Sequence, residues 1–325
     1  MWRYIVRRIL FSIPVLFISS VLVFMTIKAT TDPVAAASLS PRFTPETLQQ
    51  LREDLGLDRP PIEQYTSWLN GFVRADWGDS IITNRPVFPD MMKALWNTII
   101  LGIVGVGVSL AIGVGIGIYS ALRQYSPFDY VATSFAFVGL SLPTFWFALM
   151  VQLVLGVYLT RWFNLQQPIF YTTGMSTPGV EGFDLVDRTR HMALPVLVLA
   201  VQIIAVYSRY MRASMLEVLH SDYMRTARSK GVRERRVIVR HGVRNALIPL
   251  TTQVAIDIGA IAGGLIITET IFSWPGMGSL FIKSIGLGDY TVVLPWVMIT
   301  VTFVIAFNLV ADILYAALDP RIRYA

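Results

Sequence analysis

Six long apolar segments constrain the fold of this chain more than any other feature of its sequence. They lie at about residues 9–27, 95–122, 131–159, 192–208, 247–272 and 292–314. A helix needs about 20 mainly apolar residues to cross a hydrocarbon core of roughly 30 Å. Only 15% of the 325 residues are charged, whereas an average soluble domain has about 25%, so a soluble globular enzyme is excluded. The sequence therefore predicts an all-α polytopic membrane protein with six transmembrane helices.

The first apolar segment is predicted to be a retained anchor rather than a signal peptide. Arg3, Arg7 and Arg8 precede it, as basic residues do in signal peptides. Its uncharged run, residues 9–27, is nevertheless longer than the apolar core of about 7–15 residues that signal peptides have. We therefore divide the chain into an N-terminal helix with a long loop, residues 1–94, and a transmembrane domain, residues 95–325.

The long loop, residues 29–92, is predicted to contain two short helices. Thr44 is a candidate cap with Pro45 at the first helical position, and this order is typical of a helix start. A second helical pattern begins at Pro60-Pro61 and stops at Asn70-Gly71. A structured loop of this length usually has a function, and both docking of a soluble partner and capping of the bundle remain open.

The distribution of charge predicts that both ends of the chain are cytoplasmic. We assign four segments to one face of the membrane: the first helical turns before residue 9, residues 123–130, residues 209–247 and the tail from Asp312. These segments hold 16 Lys or Arg and 6 acidic residues, whereas the loops assigned to the other face hold 11 and 13. Basic residues concentrate in cytoplasmic loops, so the basic face is cytoplasmic and the loop 29–92 is extracytoplasmic.

Small residues recur at every fourth position of the second segment, at Gly105, Ser109, Gly113 and Gly117. They lie on one stripe of a helix, where a bare backbone allows another helix to approach closely. Tight helix packing is the favoured interpretation, and a substrate-lining groove is the alternative.

Several kinds of chemistry are missing from the sequence, so an enzyme is not expected. The chain has no cysteine, which excludes thiol redox chemistry, Fe–S clusters and cysteine zinc sites. It also lacks a GxxxxGK[ST] phosphate loop. Its three histidines are scattered, at His191, His220 and His241. We therefore expect no cofactor and no metal on this chain.

Asp257 and Glu269 are the two carboxylates inside the apolar segment at 247–272. They are about 18 Å apart along a helix, too far for an acid–base pair. A charge at the bilayer centre costs about 2.5–3.5 kcal/mol on insertion scales, so it usually faces protein or a water-filled path. For Asp257, pathway lining and a buried interhelical hydrogen bond remain equally open. For Glu269, an interfacial carboxylate is favoured over a pathway residue.

The basic loop at residues 209–247 has ten Lys or Arg and three acidic residues. Ser221-Asp222 is a candidate N-cap, and Gly231 stands where a C-terminal glycine belongs. Ala227 and Gly231, four residues apart, are expected to leave a shallow notch. A short helix with such a notch, joined to a transmembrane helix, is suited to receive a push from a partner.

The sequence of this loop resembles the EAA loop of binding-protein-dependent ABC importer permeases. The family pattern is Glu-Ala-Ala, three residues, Gly, and later Ile-x-Leu-Pro. Here YMRTARSKG occupies residues 223–231 and RNALIP occupies residues 244–249, so that Arg-Thr-Ala replaces Glu-Ala-Ala. This departure is similar to the dipeptide/oligopeptide branch of the family, specifically its first, B-type permease subunit. Segments elsewhere resemble the same branch: MWRYIVRR at 1–8, GLSLPTFW at 139–146, RASMLEVL at 212–219 and ETIFSWPGMG at 269–278.

The resemblance implies a type I ABC importer permease fold with a long extracytoplasmic loop after the first helix. It implies a peptide importer of a bacterial or archaeal plasma membrane that works by alternating access. The implied partners are a homologous second permease, two ATPase subunits that bind ATP and Mg, an extracytoplasmic substrate-binding protein and the lipid bilayer, but no nucleic acid. Dipeptides, oligopeptides, glutathione and nickel complexes all remain open as cargo.

The resemblance also suggests functional residues. The candidates for ATPase docking are Arg225, Thr226, Ala227, Arg228, Gly231 and Glu234. Asp257 and Glu269 are candidates for the translocation pathway because they are carboxylates inside an apolar segment, not because of the resemblance, since Asp257 is not part of the family pattern. Trp274-Pro275-Gly276 is a candidate outer gate, with an aromatic anchor at the membrane interface as the alternative.

Two other functions remain open on the sequence. One is an ion-coupled secondary transporter that uses Asp257, although the inverted repeats of many such carriers are not evident here. The other is a membrane scaffold or sensor without transport activity.

Overall fold

The computed structural model of the chain describes residues 2–30, 34, 38, 44–54, 56–179 and 182–318. Its longer helices are α1 (Trp2–Thr30), α4 (Val87–Leu122), α5 (Pro127–Ser141), α6 (Thr144–Trp162), α7 (Leu185–Leu219) and α12 (Tyr290–Leu318). Helix α9 consists of Glu234–Arg236, a π-helical turn Val237–Val243 and Arg244–Ile261 in succession. The shorter helices are α2 (Pro45–Asp54), α3 (Pro61–Val73), α8 (Asp222–Ser229), α10 (Ile266–Ile271) and α11 (Met277–Gly286). The described residues form no β-strand beyond one isolated bridge between Asp79 and Pro86.

Within the described part of the chain, five helices are long and apolar enough to cross a membrane: α1, α4, α6, α7 and α12. The chain is therefore an all-α polytopic membrane protein, as predicted. Two of the six predicted segments are not continuous helices. The segment at 131–159 is divided between α5 and α6, and the segment at 247–272 is divided between α9 and α10.

Proline and glycine cause the two breaks. Pro143 is the N-cap residue of α6, and proline disfavours helical backbone in the residue before it. After α9, Gly264 has a φ of +85°, and a Cβ on it would lie 2.2 Å from the backbone nitrogen of Gly278. Only glycine combines this backbone conformation with such a close approach, so the chain turns sharply between α9 and α10.

The stripe of small residues on α4 packs against α7, as the sequence predicts. A Cβ on Gly117 would lie 2.6 Å from the Cβ of Met211 and 2.7 Å from the backbone oxygen of Ser208. A Cβ on Gly113 would lie 3.0 Å from the Cβ of Tyr207. The missing side chains thus bring two long helices together along most of their length.

An ion pair fastens the turn between α4 and α5 to α7. Arg212 donates to Asp129 from Nε at 2.7 Å and from a terminal nitrogen at 2.8 Å. The backbone N–H of Tyr125 and the hydroxyl of Ser120 donate to the same carboxylate. The Arg212 guanidinium holds the pKa of the Asp129 carboxyl well below its usual range. This charged cluster lies just beyond the apolar end of α4.

The N-terminal helix α1 packs along α12. At one end of the bundle Arg8 pairs with Asp312 at 3.1 Å. The basic loop with α8 lies at this end too, so we call it the α8 end. At the opposite end, which we call the α3 end, the Ser20 hydroxyl lies 2.7 Å from the hydroxyl of Tyr65 on α3. Helix α3 therefore caps the bundle, one of the two roles left open for the long loop. It continues to Val73, past the stop predicted at Asn70-Gly71.

Replacement of Gly117 by alanine is expected to lower the free energy of unfolding by about 1–3 kcal/mol, the usual cost of overpacking. Gly115 on the same helix is the control, because a Cβ there meets no atom within 4 Å. The variant Gly115→Ala should be neutral or stabilising by up to ~1 kcal/mol. Denaturant unfolding of the purified chain in detergent measures both values, and equal stabilities would contradict the packing argument.

Candidate functional site

Helix α8, the centre of the basic loop, is held to the bundle by one apolar face. Met224 is 0% exposed and Ala227 is 9% exposed. Both belong to a cluster with the buried Val237 at the start of α9, and Val218 and Leu219 at the end of α7 pack against this cluster. The short helix is therefore packed between α7 and α9, the two helices that the loop connects.

The end of α8 adopts the geometry that the sequence predicts for Gly231. The N–H of Gly231 donates to the oxygen of Arg228 at 2.9 Å, and the N–H of Val232 donates to the oxygen of Ala227 at 3.4 Å. Together with a φ of +72° at Gly231, this pattern is a Schellman motif. At the other end Ser221 is the N-cap residue, but its hydroxyl donates to the oxygen of Val218 rather than capping the helix.

The outward face of α8 carries its charges. Arg225 and Thr226 are exposed, and so are Arg228, Tyr223 and Asp222. The notch expected between Ala227 and Gly231 is not there. Ala227 lies on the opposite, buried face of the helix, and a Cβ on Gly231 would meet no atom within 4 Å.

Two of the docking candidates pair with each other across the turn between α8 and α9. Arg228 donates to Glu234 from Nε at 3.2 Å and from a terminal nitrogen at 3.0 Å. Both side chains are about half exposed. This bidentate contact, which raises the pKa of Arg228, joins α8 to the beginning of α9 in addition to the apolar contacts beneath.

Glu269 is buried within the protein and fully hydrogen-bonded, so it is not a carboxylate that is exposed at the membrane surface. It is 0% exposed. One carboxylate oxygen accepts from the Thr98 hydroxyl at 2.8 Å and from the Leu265 N–H at 3.1 Å. The other accepts from the N–H groups of Gly278 at 2.7 Å and Ser279 at 3.1 Å, at the beginning of α11. Four donors from three parts of the chain therefore meet on one carboxylate.

The segment Trp274-Pro275-Gly276 is part of the same buried network. Trp274 is 0% exposed and donates from its indole nitrogen to the oxygen of Asn97 at 3.0 Å. The Asn97 side chain in turn donates to the oxygen of Pro275 at 2.8 Å. A Cβ on Gly276 would lie 2.4 Å from Thr98 Oγ1. A side chain enclosed in this way does not anchor the chain at a lipid interface.

Sequence reasoning missed Asn97 and Thr98, which hold this segment to α4. Both are buried polar residues near the start of an otherwise apolar span. That polarity was the available signal, but their partners lie more than 170 residues further along the chain. The fold, rather than any local pattern, brings these residues together.

Asp257 accepts two hydrogen bonds in the middle of α9. Tyr207 on α7 donates to one oxygen at 2.8 Å, and Gln253, one turn earlier on α9, donates to the other at 2.8 Å. The interhelical hydrogen bond, one of the two roles left open for Asp257, is therefore present. Asp257 is partly exposed, as is Gln253 one turn earlier, so these two residues form a polar stripe on α9.

Replacement of Glu269 by glutamine is expected to destabilise the protein by about 3 kcal/mol. The amide NH₂ group faces N–H donors, and each buried donor left unpaired costs about 1–3 kcal/mol. Thermal unfolding in detergent measures the loss, with the exposed carboxylate Glu217 replaced by glutamine as the control. A Glu269→Gln variant as stable as the control would contradict the network described above.

Comparisons with known proteins place this chain in a family. A family model described as "Binding-protein-dependent transport system inner membrane component" matches residues 113–324. A second model, for the N-terminal part of such membrane components, matches residues 1–101.

Similar proteins match over the full length of the chain. The oligopeptide transport system permease protein AppB of Bacillus subtilis is 41% identical over 325 residues, with 100% of both chains covered. The dipeptide transport system permease protein DppB of Alkalihalophilus pseudofirmus is 38% identical, again with 100% of both chains covered. The glutathione transport system permease protein GsiC of Escherichia coli is 34% identical over 324 residues, with 100% of both covered.

A solved structure shares the fold. A chain of the methionine ABC transporter MetNI in its inward-facing conformations aligns with a TM-score of 0.52 and 12% identity, covering 70% of this chain and 96% of that one. The fold is thus that of an ABC importer permease. On the matches of both family models and the full-length relatives, this chain belongs to the family of binding-protein-dependent transport system inner membrane components.

Proposed function

We propose that this chain is a transmembrane permease subunit of an ATP-driven importer that moves dipeptides or oligopeptides by alternating access. The observation that carries the proposal is the position of α8, packed beneath by the ends of α7 and α9 and charged on its outward face. The family model supports transport with a binding protein. The names of the relatives AppB and DppB support peptides as cargo.

The proposed complex contains four other subunits. A homologous second permease pairs with this chain, and two ATPase subunits supply ATP and Mg chemistry. An extracytoplasmic binding protein delivers the peptide. The chain itself is a pore-forming subunit and not an enzyme. We propose that α1, the loop and α3 form an accessory part around the transmembrane domain, and that the division at residues 94 and 95 falls inside α4, which begins at Val87.

We place the α8 end of the bundle in the cytoplasm, together with both termini. The positive-inside rule supports this orientation, because residues 209–247 carry ten Lys or Arg. The contact of Arg8 with Asp312 brings the beginning of α1 and the end of α12 to the same end of the bundle. The ATPase subunits and α8 then lie on the same side of the bacterial or archaeal plasma membrane.

The docking surface that we propose is the outward face of α8, with Arg225, Thr226 and Arg228 as contacts. Ala227 and Gly231 serve it indirectly, the first by packing beneath the helix and the second by ending it. A displacement of α8 passes to α9 through the Arg228–Glu234 ion pair and through the packing of Met224 on Val237. Since α9 carries the polar stripe with Asp257, its movement changes the proposed pathway.

The far end of α9 is proposed to pivot rather than to translate. The Gly263-Gly264 turn connects α9 to α10, and Glu269 fastens the following segment to Thr98 on α4. We propose that Trp274-Pro275-Gly276 is held in place by the same network. The outer gate would then open and close as α9 moves relative to this segment.

An ion-coupled carrier that uses Asp257 is the alternative, and the relatives do not favour it, because their names describe permease proteins of transport systems. Reconstitution of the complete complex in proteoliposomes separates the two. We expect uptake of a labelled dipeptide to require ATP and to continue when an ionophore removes the proton and sodium gradients. Uptake that follows a gradient without ATP would favour the carrier.

The ion pair between α8 and α9 provides a test of coupling. Reversal of one charge, in Arg228→Glu or Glu234→Arg, should lower ATP-driven uptake by about fivefold or more, because like charges about 4 Å apart repel by ~1 kcal/mol even in water. The double reversal should restore part of the uptake. The exposed Arg85–Asp90 pair, 3.2 Å apart at the α3 end, is the control, and its reversals should have no effect.

A failure of rescue would mean that the two residues do not act as a pair. If both single reversals also left uptake unchanged, the proposed route from α8 to α9 would be wrong. ATPase activity measured in the same vesicles distinguishes lost coupling from lost assembly of the complex.

A further inference from the structure

A strongly basic groove lies beside α8, at the beginning of α9. Its volume is about 690 Å³, and Val232 and Val239 form its apolar part. Its cationic lining consists of Lys230, Arg233, Arg235, Arg236 and Arg240. No acidic side chain lines this groove among the described residues. Glu234, the nearest acid in sequence, accepts instead from Arg228, so it is not available to neutralise these cations.

A second groove, almost wholly apolar, lies between α4, α9 and α12. Its volume is about 610 Å³. Helix α9 contributes Leu247, Val254 and Ile258, and the other two helices contribute Leu110 and Phe307 among others. The polar stripe of Gln253 and Asp257 does not line this groove, so the groove is separate from the proposed pathway.

The two grooves follow the same stripe of α9. Positions 235, 239, 243, 247 and 251 succeed one another at four-residue intervals, and 254 and 258 continue the stripe. In a regular α-helix each four-residue step drifts by about 40°, but the π-helical turn Val237–Val243 has more residues per turn and offsets this drift. The positions therefore stay on one face of α9. Arg235 and Val239 line the basic groove, and Leu247 and Ile258 line the apolar one. The distance along the helix from Arg240 to Leu247 is about 10 Å.

The depth of the basic groove matches the headgroup layer of a membrane. Gly242, two residues after Arg240, packs against the side chain of Met215. Met215 lies one turn beyond Arg212, whose ion pair with Asp129 marks the polar end of the α4–α5 turn. The nearer end of the groove, at Arg240, is therefore about one helical turn outside the hydrocarbon boundary, within reach of a headgroup layer that is several ångströms thick.

We propose that an anionic phospholipid binds along this stripe of α9, with its phosphate among the arginines of the basic groove and an acyl chain in the apolar groove. Opposite charge attracts the headgroup to the arginines, and the apolar groove gives the chain a surface that neither a free phosphate nor an ATPase subunit would fill. The lipid would contact α9 immediately after the turn that connects it to α8.

The test measures retention of lipid by the purified full-length chain in detergent, using native mass spectrometry. Phosphatidylglycerol should bind more tightly than phosphatidylcholine with the same acyl chains. The double variant Arg236→Gln/Arg240→Gln should weaken phosphatidylglycerol binding by about tenfold or more. The matched control is the double variant Arg123→Gln/Arg209→Gln, which removes two positive charges at the α8 end but outside the groove. It should change phosphatidylglycerol binding by less than about twofold.

A second variant tests the apolar groove without a change in charge. Ala111 lines it and is exposed, so Ala111→Trp should fill the groove and displace phosphatidylglycerol. Thermal unfolding without lipid establishes that each variant is folded.

Three results would overturn the proposal. The first is equal retention of phosphatidylglycerol by the Arg236→Gln/Arg240→Gln variant and its control. The second is binding of glycerol 3-phosphate as tight as that of phosphatidylglycerol, with no effect of Ala111→Trp, which would indicate a site for a free phosphate. The third is loss of ATPase co-purification in the charge variant with unchanged lipid binding, which would make the groove a contact for the ATPase.

Discussion

A carboxylate that is buried in a membrane protein needs hydrogen-bond donors for both of its oxygens. Glu269 accepts four such hydrogen bonds, from Thr98, Leu265, Gly278 and Ser279. These donors belong to α4, to the turn before α10 and to the beginning of α11. The carboxylate therefore holds together three elements that also pack through apolar side chains such as Leu101, Leu265 and Trp274. The sharp turn after α9 depends on it, since Gly264 and Gly278 lie almost in contact there.

The same arrangement explains how α9 differs from the other long helices. One of its ends continues through the Gly263-Gly264 turn into the Glu269 network, and the other end is joined to α8 by the Arg228–Glu234 ion pair and the packing of Val237. Both ends of α9 are therefore held by contacts with other parts of the chain. The polar stripe around Asp257 lies between these two attachments.

Sequence patterns were reliable where the cause of a structure is local. The apolar segments, the glycine stripe of α4 and the end of α8 at Gly231 were all predicted, because hydropathy, side-chain size and backbone freedom act over a few residues. They were unreliable where a contact joins distant residues. The burial of Ala227 and of Glu269 depends on partners in other helices, and the breaks at Pro143 and Gly264 fell inside runs whose composition remains apolar throughout.

The membrane location, the helical class and the position of the basic loop along the chain were determined by the sequence alone. Long uncharged runs favour lipid over water, and runs of about 20 apolar residues satisfy their backbone hydrogen bonds there as helices. Only the tertiary structure decided which polar groups meet. Asn97 and Thr98 reach Trp274 and Glu269 across more than 170 residues, and two grooves align along α9. Such contacts arise from the packing of whole helices, whose relative positions no local sequence pattern contains.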